Sequence, residues 1–444
     1  MATKKWIQAG VLLLTAASLS ACGASNDGKT KEPEAGKAAE APKEPVTLTF
    51  YDPSAKQDPA IFMEQYGDFI QKKYPHITVK YISSPDTNPE GHIANMLAAG
   101  EPIDIMLNAD INHYRLIAPF KFEYDLTGLA KSRGFDLSKL EPGTLKAVQA
   151  LSNNNGLYAI PYKMQAMGLL YNKDLFDKFG RPYPKDGMTW DEVYEVAKTM
   201  TRSDSGVQYR GFITQFYNTA WLNQLSLGFV DPKTEKSVLN SDERWARLVK
   251  NLTRFYEIPG NETKEGSFGT ISNLFLKDRV AAMYAYFIPT TPQEVNWDVV
   301  TYPEFSDRRG VGPQQLLTLA YVTSTSKHKE AAFDAVAYLA SDEVQTNMSR
   351  KALAFPVTTS QAAKDAFGQD TPFLQGKNVR ALLKSKPADP FPSSPYQRTA
   401  ALPLEKTMYE LTKGAMDVNT ALRKMAEDGD KDIEKAKAAA AASK

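Results

Sequence analysis

The chain has 444 residues, a length that favours two domains over one compact core. Its 53 basic and 52 acidic residues give a formal net charge of +1, so charge offers no case for binding nucleic acid or an anionic membrane surface. One cysteine forbids an internal disulfide, and the four histidines lack ligand spacing. We therefore expect no nucleic-acid partner, no metal site and no cofactor.

The first 21 residues have the pattern of a signal peptide. Two lysines precede an apolar stretch of about 15 residues, fewer than the roughly 20 that span a bilayer. The stretch ends in a Leu-Ser-Ala-Cys sequence at Cys22, which resembles the lipobox of bacterial lipoproteins. This resemblance implies that residues 1–21 are removed and that Cys22 is acylated, giving a stable membrane anchor. Ordinary secretion with a leftover thiol is the alternative.

Residues 22–45 are predicted to form a disordered tether, because residues 23–45 are small, polar, charged or proline. Within the tether, residues 23–30 match G-x-x-x-x-G-K-[ST], the pattern of a phosphate-binding loop. That loop requires a strand before it and a helix after it, to aim backbone amides at phosphates. A signal peptide and a linker flank this match, so we reject it.

An alternation of strands and helices begins at residue 46. The predicted strands are 46–51, 77–82 and 103–107, and the predicted helices between them are 61–74 and 92–99. This order is typical of a parallel, doubly wound sheet, whose ligand groups follow the carboxyl ends of the strands. Asp52, Asn108 and Asp110 occupy such positions and are candidate ligand residues. Each could instead cap a turn or a helix.

Three tryptophans are predicted to be core residues. Thr189 and Glu192 fit a capping box, which places Trp190 in the first turn of a helix. Trp245 lies on an apolar helical stripe, and Trp297 lies in a strand-like segment. Later elements are predicted as a strand at 316–323 and helices at 329–340, 396–413 and 420–425, with a frayed end over 435–444.

Several short motifs stand in a characteristic order along the chain. The most specific block is 156–162 followed by 170–176; the others are 98–105, 189–192, 275–283, 329–345 and 355–356. Together they resemble the family 1 extracellular solute-binding proteins, the sugar-binding subunits of ABC importers. Two motifs depart from the family pattern: Ile103 is inserted between Pro and Asp, and Asp278 with Arg279 replaces a usual Gly.

The resemblance implies an α/β, two-lobed periplasmic-binding-protein-like fold of type II, with the ligand in the cleft between the lobes. It implies a first lobe of residues 46–162 plus 316–356 and a second lobe of 163–315 plus 357–444. The chain would cross between lobes near 163–165, 314–316 and 355–357. Such lobes close about a hinge when a ligand binds.

Sugars present hydroxyls to carboxylates and amides, and apolar faces to aromatic rings, so the cleft should combine both. By resemblance, Trp221 is the main stacking candidate, and Trp221→Ala is expected to weaken binding at little cost in stability. The further candidates by resemblance are Gln165, Tyr217, Asn218, Tyr286, Phe287, Gln315 and Tyr396. Core packing is the alternative for the aromatic residues.

The predicted function is capture of a carbohydrate, an oligosaccharide, outside the cell by a membrane-anchored monomer that delivers it to an ABC permease. The sequence lacks G-x-S-x-G and H-E-x-x-H, so we expect no catalysis. Residues 428–432 suggest a calcium loop but lack Gly at position six and Glu at position twelve. Two alternatives stay open: a binding protein for a peptide or polyamine, and a surface carbohydrate lyase or hydrolase.

Overall fold

The computed structural model describes residues 44–152, 156–262 and 268–442. The signal peptide, Cys22 and the rejected phosphate-loop match lie outside the described residues. The strands are β1 (Val46–Ala55), β2 (Ile77–Ser84), β3 (Ile105–Ala109), β4 (Ile160–Gln165), β5 (Met167–Asn172), β6 (Arg202–Asp204), β7 (Val207–Tyr209), β8 (Ile213–Thr214), β9 (Val230–Asp231), β10 (Lys236–Ser237), β11 (Met283–Phe287), β12 (Trp297–Val300), β13 (Val311–Gly312), β14 (Leu316–Val322) and β15 (Lys386–Pro387).

The helices account for most of the remaining regular structure. They are α1 (Pro59–Phe62), α2 (Asp68–Lys73), α3 (Pro89–Ala98), α4 (His113–Leu116), α5 (Thr127–Ser132), α6 (Pro142–Gln149), α7 (Lys173–Lys178), α8 (Trp190–Met200), α9 (Phe216–Trp221), α10 (Glu243–Thr253), α11 (Phe268–Leu276), α12 (Lys329–Leu339), α13 (Asp342–Arg350), α14 (Gln361–Asp365), α15 (Gln397–Ala401), α16 (Leu404–Thr412) and α17 (Val418–Ala442). One turn of π-helix, Met63–Gly67, joins α1 to α2. No helix of the described ranges is long and apolar enough to cross a membrane.

Two sheets organise the chain. A five-stranded sheet has the order β2-β1-β3-β14-β4, and a four-stranded sheet has the order β12-β5-β11-β8. Strands β1, β2 and β3 are parallel, as their alternation with helices predicted, whereas β14 runs antiparallel to both of its neighbours. We call the five-stranded sheet with its packed helices the first lobe, and the four-stranded sheet with its helices the second lobe.

The chain passes from the first lobe to the second between β4 and β5, which are separated by one residue, Ala166. It returns with β14, whose first residue, Leu316, pairs with Gln165 of β4. The backbone of Gln314, just before β14, donates to the carbonyl of Leu222 in the second lobe at 2.9 Å. The two connections therefore lie side by side.

The final crossing lies later in the chain than 355–357, where the resemblance put it. Residues 357–371 stay packed on the first lobe: Gly368 N donates to Ser349 O at 2.9 Å, and the Phe367 ring stacks on Phe355 at 4.0 Å. Contacts with the second sheet are present at Lys377, whose ammonium donates to the Trp297 carbonyl at 2.6 Å, and at Asn378, whose backbone N–H donates to Asp298 at 2.7 Å. The motif at 355–356 marks a position in the sequence but does not show which lobe the following residues pack on. It therefore could not reveal the later position of the crossing.

The tryptophans predicted as core are buried. Trp190 is 2% exposed, and both halves of the predicted capping box are present, with Thr189 and Glu192 each bonded to the other's backbone N–H. Trp245 is fully buried and Trp297 is 2% exposed. The capping box and the apolar spacing therefore identified these side chains correctly.

The C-terminal helix is longer than predicted, because α17 runs from Val418 to Ala442 where the sequence suggested a short helix and a frayed end. Its Gly429 lies against α15: a Cβ there would come within 3.1 Å of the Ala400 carbonyl oxygen. Further along, Lys437 forms an ion pair with Glu235 at 3.0 Å. Tertiary packing thus extends a helix whose composition alone suggested an early end.

Candidate ligand-binding site

A cavity of about 330 Å³ lies between the two lobes. The first lobe contributes residues 110–115, which follow β3, and residues 143–151 in and after α6. The second lobe contributes residues 221–222, at the end of α9, and residues from 387–402. Gln314 and Gln315, where the chain returns to the first lobe, complete the wall. The cavity is thus built where strand ends and crossing segments meet, as expected for an open α/β sheet.

The turn after β3 presents two polar side chains to this cavity. β3 ends at Ala109, and the chain continues through a 3₁₀ turn, Asp110–Asn112, into α4. Asp110 and Tyr114 are four residues apart, and both line the cavity. The Tyr114 hydroxyl donates to the Leu151 carbonyl at 3.3 Å and accepts from Ser393 at 3.0 Å.

The carboxyl group of Asp110 is withdrawn from bulk water at the cavity wall. Burial raises the pKa of Asp110 to about 7, although hydrogen bonds from the backbone N–H groups of Ile111 and Leu317 oppose the rise. The bond from Ile111 N to Asp110 Oδ1 measures 2.8 Å. Near neutral pH this carboxyl group can therefore accept a hydrogen bond or, once protonated, donate one.

Aromatic rings form the apolar side of the cavity. The Trp221 ring stacks on Tyr217, with centroids 5.8 Å apart and planes at 16°, and on Phe229 at 5.4 Å and 24°. Phe391 meets Trp221 edge to face at 5.4 Å and 83°. Trp221 and Phe391 both line the cavity, and Phe391 is only half-buried.

Trp221 packs in the core of the second lobe and also lines the cavity. This packing contradicts the expectation that Trp221→Ala costs little stability. Its side chain is 6% exposed, and three aromatic rings surround it. Truncating a buried tryptophan costs about 3–5 kcal/mol. The family resemblance predicted that Trp221 lies in the cleft but could not show how much of its ring is covered.

Two arginines line the side of the cavity near α4 and α15. Arg115 binds Glu90 in a bidentate pair, with Nε on Oε1 and Nη2 on Oε2 at 2.9 Å. Burial would raise the pKa of Glu90, but the hydrogen bond from Arg115 and the charges of Arg115 and Arg398 outweigh it and lower that pKa. Arg398 Nη1 donates to Asn112 Oδ1 at 2.7 Å, which links α15 to the turn after β3.

Residues 387–398 form a bridging segment between the lobes. Gln397 holds the segment to the second lobe: its Oε1 accepts from Phe229 N at 2.6 Å, and its Nε2 donates to the Val230 carbonyl at 3.0 Å. Three contacts reach the first lobe: Ser393 to Tyr114 at 3.0 Å, Arg398 to Asn112 at 2.7 Å, and Lys146 to Asp389 at 2.9 Å. The segment thus closes one side of the cavity.

Three of the predicted ligand residues line the cavity: Asp110, Trp221 and Gln315. Gln315 Oε1 accepts from Thr144 Oγ1 at 3.1 Å. Asn108 lies two residues before Asp110 but is 1% exposed, and neither polar atom of its side chain has a hydrogen-bond partner among the described residues. Asn108 therefore lies beneath this wall of the site and does not line it.

Two further first-lobe candidates, Asp52 and Gln165, and Tyr396 of the bridging segment lie away from the cavity lining. Asp52 accepts from the Tyr81 hydroxyl at 2.9 Å and from Ser54 N at 2.8 Å, so its carboxylate is engaged locally. Gln165, the last residue of β4, is exposed. Tyr396 directly precedes α15, and the Lys437 ammonium lies 5.3 Å from the centre of its ring.

The remaining second-lobe candidates form a neighbouring cluster that is not part of the cavity lining. Asn218 Nδ2 donates to the Tyr286 hydroxyl at 3.1 Å, and the Phe287 ring lies 5.0 Å from the Tyr286 ring. The backbone N–H of Tyr217 donates to Glu405 at 2.7 Å. Tyr217 connects this cluster to the cavity because it stacks on Trp221.

The cavity residues that sequence reasoning missed include Tyr114, Arg115, Phe391 and Arg398. The spacing of Tyr114, four residues after Asp110, was a usable signal, because residues four apart lie on one face of a helical turn. Phe391 and Arg398 carried no such signal, since they follow a proline-rich stretch without periodicity. Within the described ranges, no group of His, Cys, Asp and Glu could hold a metal ion.

We predict that Asp110→Asn raises stability at high pH. The folded state holds a proton on Asp110 between about pH 4 and pH 7 that the unfolded chain releases, so wild-type stability falls as pH rises through that window. At about pH 8 the variant should be about 1–3 kcal/mol more stable than wild type, and near pH 4 equally stable. Denaturant unfolding at both pH values measures the difference.

Asp136→Asn is the matched control, because its carboxylate accepts from Ser138 N and Oγ and these bonds lower its pKa. That variant should instead be less stable than wild type at about pH 8, and the difference should be lost as pH falls below about 4, through the lowered pKa of the folded state. A pH-independent effect of Asp110→Asn would contradict the burial of this carboxyl group.

Comparison with known proteins identifies relatives of this architecture. A model of bacterial extracellular solute-binding proteins matches residues 52–346. The galactooligosaccharide-binding protein of Bacillus subtilis (strain 168) is 20% identical over 294 residues, which are 63% of this chain and 67% of that protein. That protein is similar to this chain in sequence, and two solved structures are similar to this chain in fold.

One of these structures is an ABC substrate-binding protein from Listeria monocytogenes in complex with cycloalternan. It is 19% identical, with a TM-score of 0.68 over 87% of this chain and 99% of that one. The other is the sugar-binding protein MalE of Xanthomonas citri, 17% identical, with a TM-score of 0.67 over 88% and 98% of the two chains. These likenesses confirm the predicted two-lobed α/β fold.

Proposed function

The chain belongs to the family of bacterial extracellular solute-binding proteins, and on that basis we propose that it captures a carbohydrate, an oligosaccharide, outside the cell and delivers it to an ABC permease. The observation that carries the proposal is the composition of the cavity between the lobes. Its wall combines the aromatic rings of Trp221 and Phe391 with the hydrogen-bonding groups of Asp110, Arg115 and Gln315.

This combination suits a sugar ring. The C–H face of a pyranose packs on an aromatic ring, while its hydroxyls act as both donors and acceptors. Asp110 and Gln315 offer oxygen acceptors and Arg115 offers N–H donors, so one ring could satisfy several of its hydroxyls at once. Relatives named for binding galactooligosaccharide and cycloalternan support this ligand class.

The size of the cavity limits how much of a glycan it encloses. At about 330 Å³ it lies at the lower end of the range for small-molecule sites. It would enclose one or two sugar residues, with the rest of a longer chain extending outside. The neighbouring cluster of Tyr217, Asn218, Tyr286 and Phe287 is the surface we propose for those outer residues.

The two alternative functions find less support in the cavity. Of the described residues that line it, Asp110 is the one acidic side chain, whereas a polyamine would require several converging carboxylates. A glycoside hydrolase requires a pair of carboxyl groups on either side of the scissile bond. We therefore propose binding without catalysis.

We further propose that the lobes close around the ligand. The single residue Ala166 between β4 and β5, with the adjacent return at Gln314–Leu316, offers a narrow hinge. Opening the lobes would break the bonds from Ser393 to Tyr114 and from Arg398 to Asn112. A ligand bound to both walls would favour the closed form by its differential affinity. We propose that the protein acts as a monomer.

Thermal shift with a panel of mono- and oligosaccharides tests the proposal, since a ligand that binds only the folded state raises the melting temperature by mass action. Phe391→Ala should weaken the affinity for the active sugar about 10-fold through loss of a stacking face. Phe120 is also half-buried, stacks on Phe122 at 5.7 Å and does not line the cavity, so Phe120→Ala should leave the affinity unchanged.

Two results would overturn the carbohydrate proposal. One is a panel in which amines or peptides raise the melting temperature and no sugar does. The other is turnover of a glycan that is abolished by Asp110→Asn, because that would make the protein a carbohydrate-active enzyme. Equal losses of affinity in Phe391→Ala and Phe120→Ala would show that the cavity is not the sugar-binding site.

Anchoring through Cys22 completes the proposal, because an acylated N-terminus followed by a tether would keep the binding lobes near their permease. Cys22→Ser should move the protein from the membrane fraction to the soluble extracytoplasmic fraction. The control variant Ser25→Ala, in the same tether, should stay with the membrane. If Cys22→Ser also stays with the membrane, the lipid anchor is not the attachment.

A further inference from the structure

The charges around the cavity are not balanced. Arg115 and Arg398 line it as cations, and Asp110 is the acidic side chain among its described lining residues. Arg115 is neutralised from behind by Glu90, which binds it through two hydrogen bonds and lies outside the lining. Arg398 has no equivalent partner: its described hydrogen bond is to the neutral amide of Asn112 at 2.7 Å.

Asp110 does not serve as the missing counter-ion for Arg398. The causes that set the pKa of Asp110 are burial and hydrogen bonds from backbone N–H groups, and neither arginine is among them. A carboxyl group close to a guanidinium would have its pKa lowered by that charge. Among the described residues no hydrogen bond or ion pair joins Arg398 to Asp110, so Asp110 does not neutralise Arg398 directly.

Glu90 does not compensate for both arginines. It interacts electrostatically with each of them, but its two oxygens are taken by Arg115. The set of Arg115, Arg398 and Glu90 thus keeps one unbalanced positive charge beside an aromatic wall. A half-buried guanidinium in this setting gains most from an ionised oxygen ligand, because such bonds are about twice as strong as neutral ones.

We infer that the preferred ligand is an acidic glycan, in which the carboxylate of a uronic acid residue binds the Arg398 guanidinium. The planar, two-oxygen carboxylate matches the fork geometry of arginine. The ring of the same residue would lie against Phe391, which is seven positions earlier on the bridging segment and lines the same cavity. This inference rests on the proposed function, because it specifies the sugar and not the fact of sugar binding.

Titration calorimetry of the full chain with matched disaccharide pairs tests the inference. Each pair has the same rings and linkage, based on glucose, galactose or mannose, and differs only in oxidation of C6 to a carboxylate. In at least one of these pairs, we expect the uronate member to bind at least about 10-fold more tightly than its neutral counterpart. The ratio of the two affinities should fall as the salt concentration rises. Arg398→Gln should lower the uronate affinity about 10- to 100-fold and the neutral affinity by much less, so that the preference for the uronate member is lost.

Two controls separate charge at Arg398 from other effects. Arg423→Gln removes one positive charge from an exposed position on α17 and should leave both affinities unchanged. Arg398→Lys keeps the charge without the fork and should retain part of the uronate preference.

The outcomes distinguish this inference from the proposed function. Neutral sugars that bind as well as or better than their uronate partners would overturn the inference and leave sugar binding intact. Loss of neutral and uronate affinity alike in Arg398→Gln would also overturn it, because Arg398 would then act through shape alone. If no sugar of either kind binds, the proposed function fails together with the inference.

Discussion

The closeness of the first two inter-lobe connections is the constraint on which the rest of the structure depends. One residue, Ala166, separates the last strand of the first-lobe segment from the first strand of the second lobe, and the return strand β14 pairs with β4. The end of β4, the start of β5 and the start of β14 are therefore held next to each other at the junction of the lobes. Side chains from distant parts of the sequence meet there, and a ligand between them contacts both lobes.

The bridging segment over residues 387–398 makes this arrangement specific. Gln397 fixes it to the second lobe, while Ser393 and Arg398 reach the first lobe through Tyr114 and Asn112. These inter-lobe bonds are few and polar, so they resemble a contact that can separate. A ligand in the cavity would add its own bonds to both lobes and shift the balance toward closure.

Burial has two effects at the same site. It raises the pKa of Asp110, so that its carboxyl group lies near the midpoint of its titration at neutral pH, and it strengthens any hydrogen bond that the group makes. It also covers most of Trp221, which stabilises the second lobe while presenting part of the ring to the cavity. The site thus depends on residues that also hold the fold together.

Much of the fold could be predicted from local patterns. The alternation of apolar residues identified β1, β2 and β3, and the capping box at Thr189 identified the start of α8. Asp110 was predicted because ligand groups follow strand ends. These features depend on neighbours in sequence, which is why a single chain reveals them.

The parts that escaped prediction depend on contacts between residues far apart in the chain. Arg398 meets Asn112 across 286 positions, and no local periodicity records such a pair. The length of α17 is set by its packing on α15 at Gly429, although glycine and a run of acidic residues locally favour an end. Trp221 was predicted from the family resemblance and lines the cavity, but the cover given by Phe229 and Phe391 comes from other segments.

The most direct test of the central claim is a crystal structure of the protein with a bound oligosaccharide. The account predicts a sugar ring between the lobes, packed against Phe391 and Trp221 and within hydrogen-bond distance of Asp110. A sugar bound on the outer surface of one lobe, with the cavity between the lobes unfilled, would contradict it.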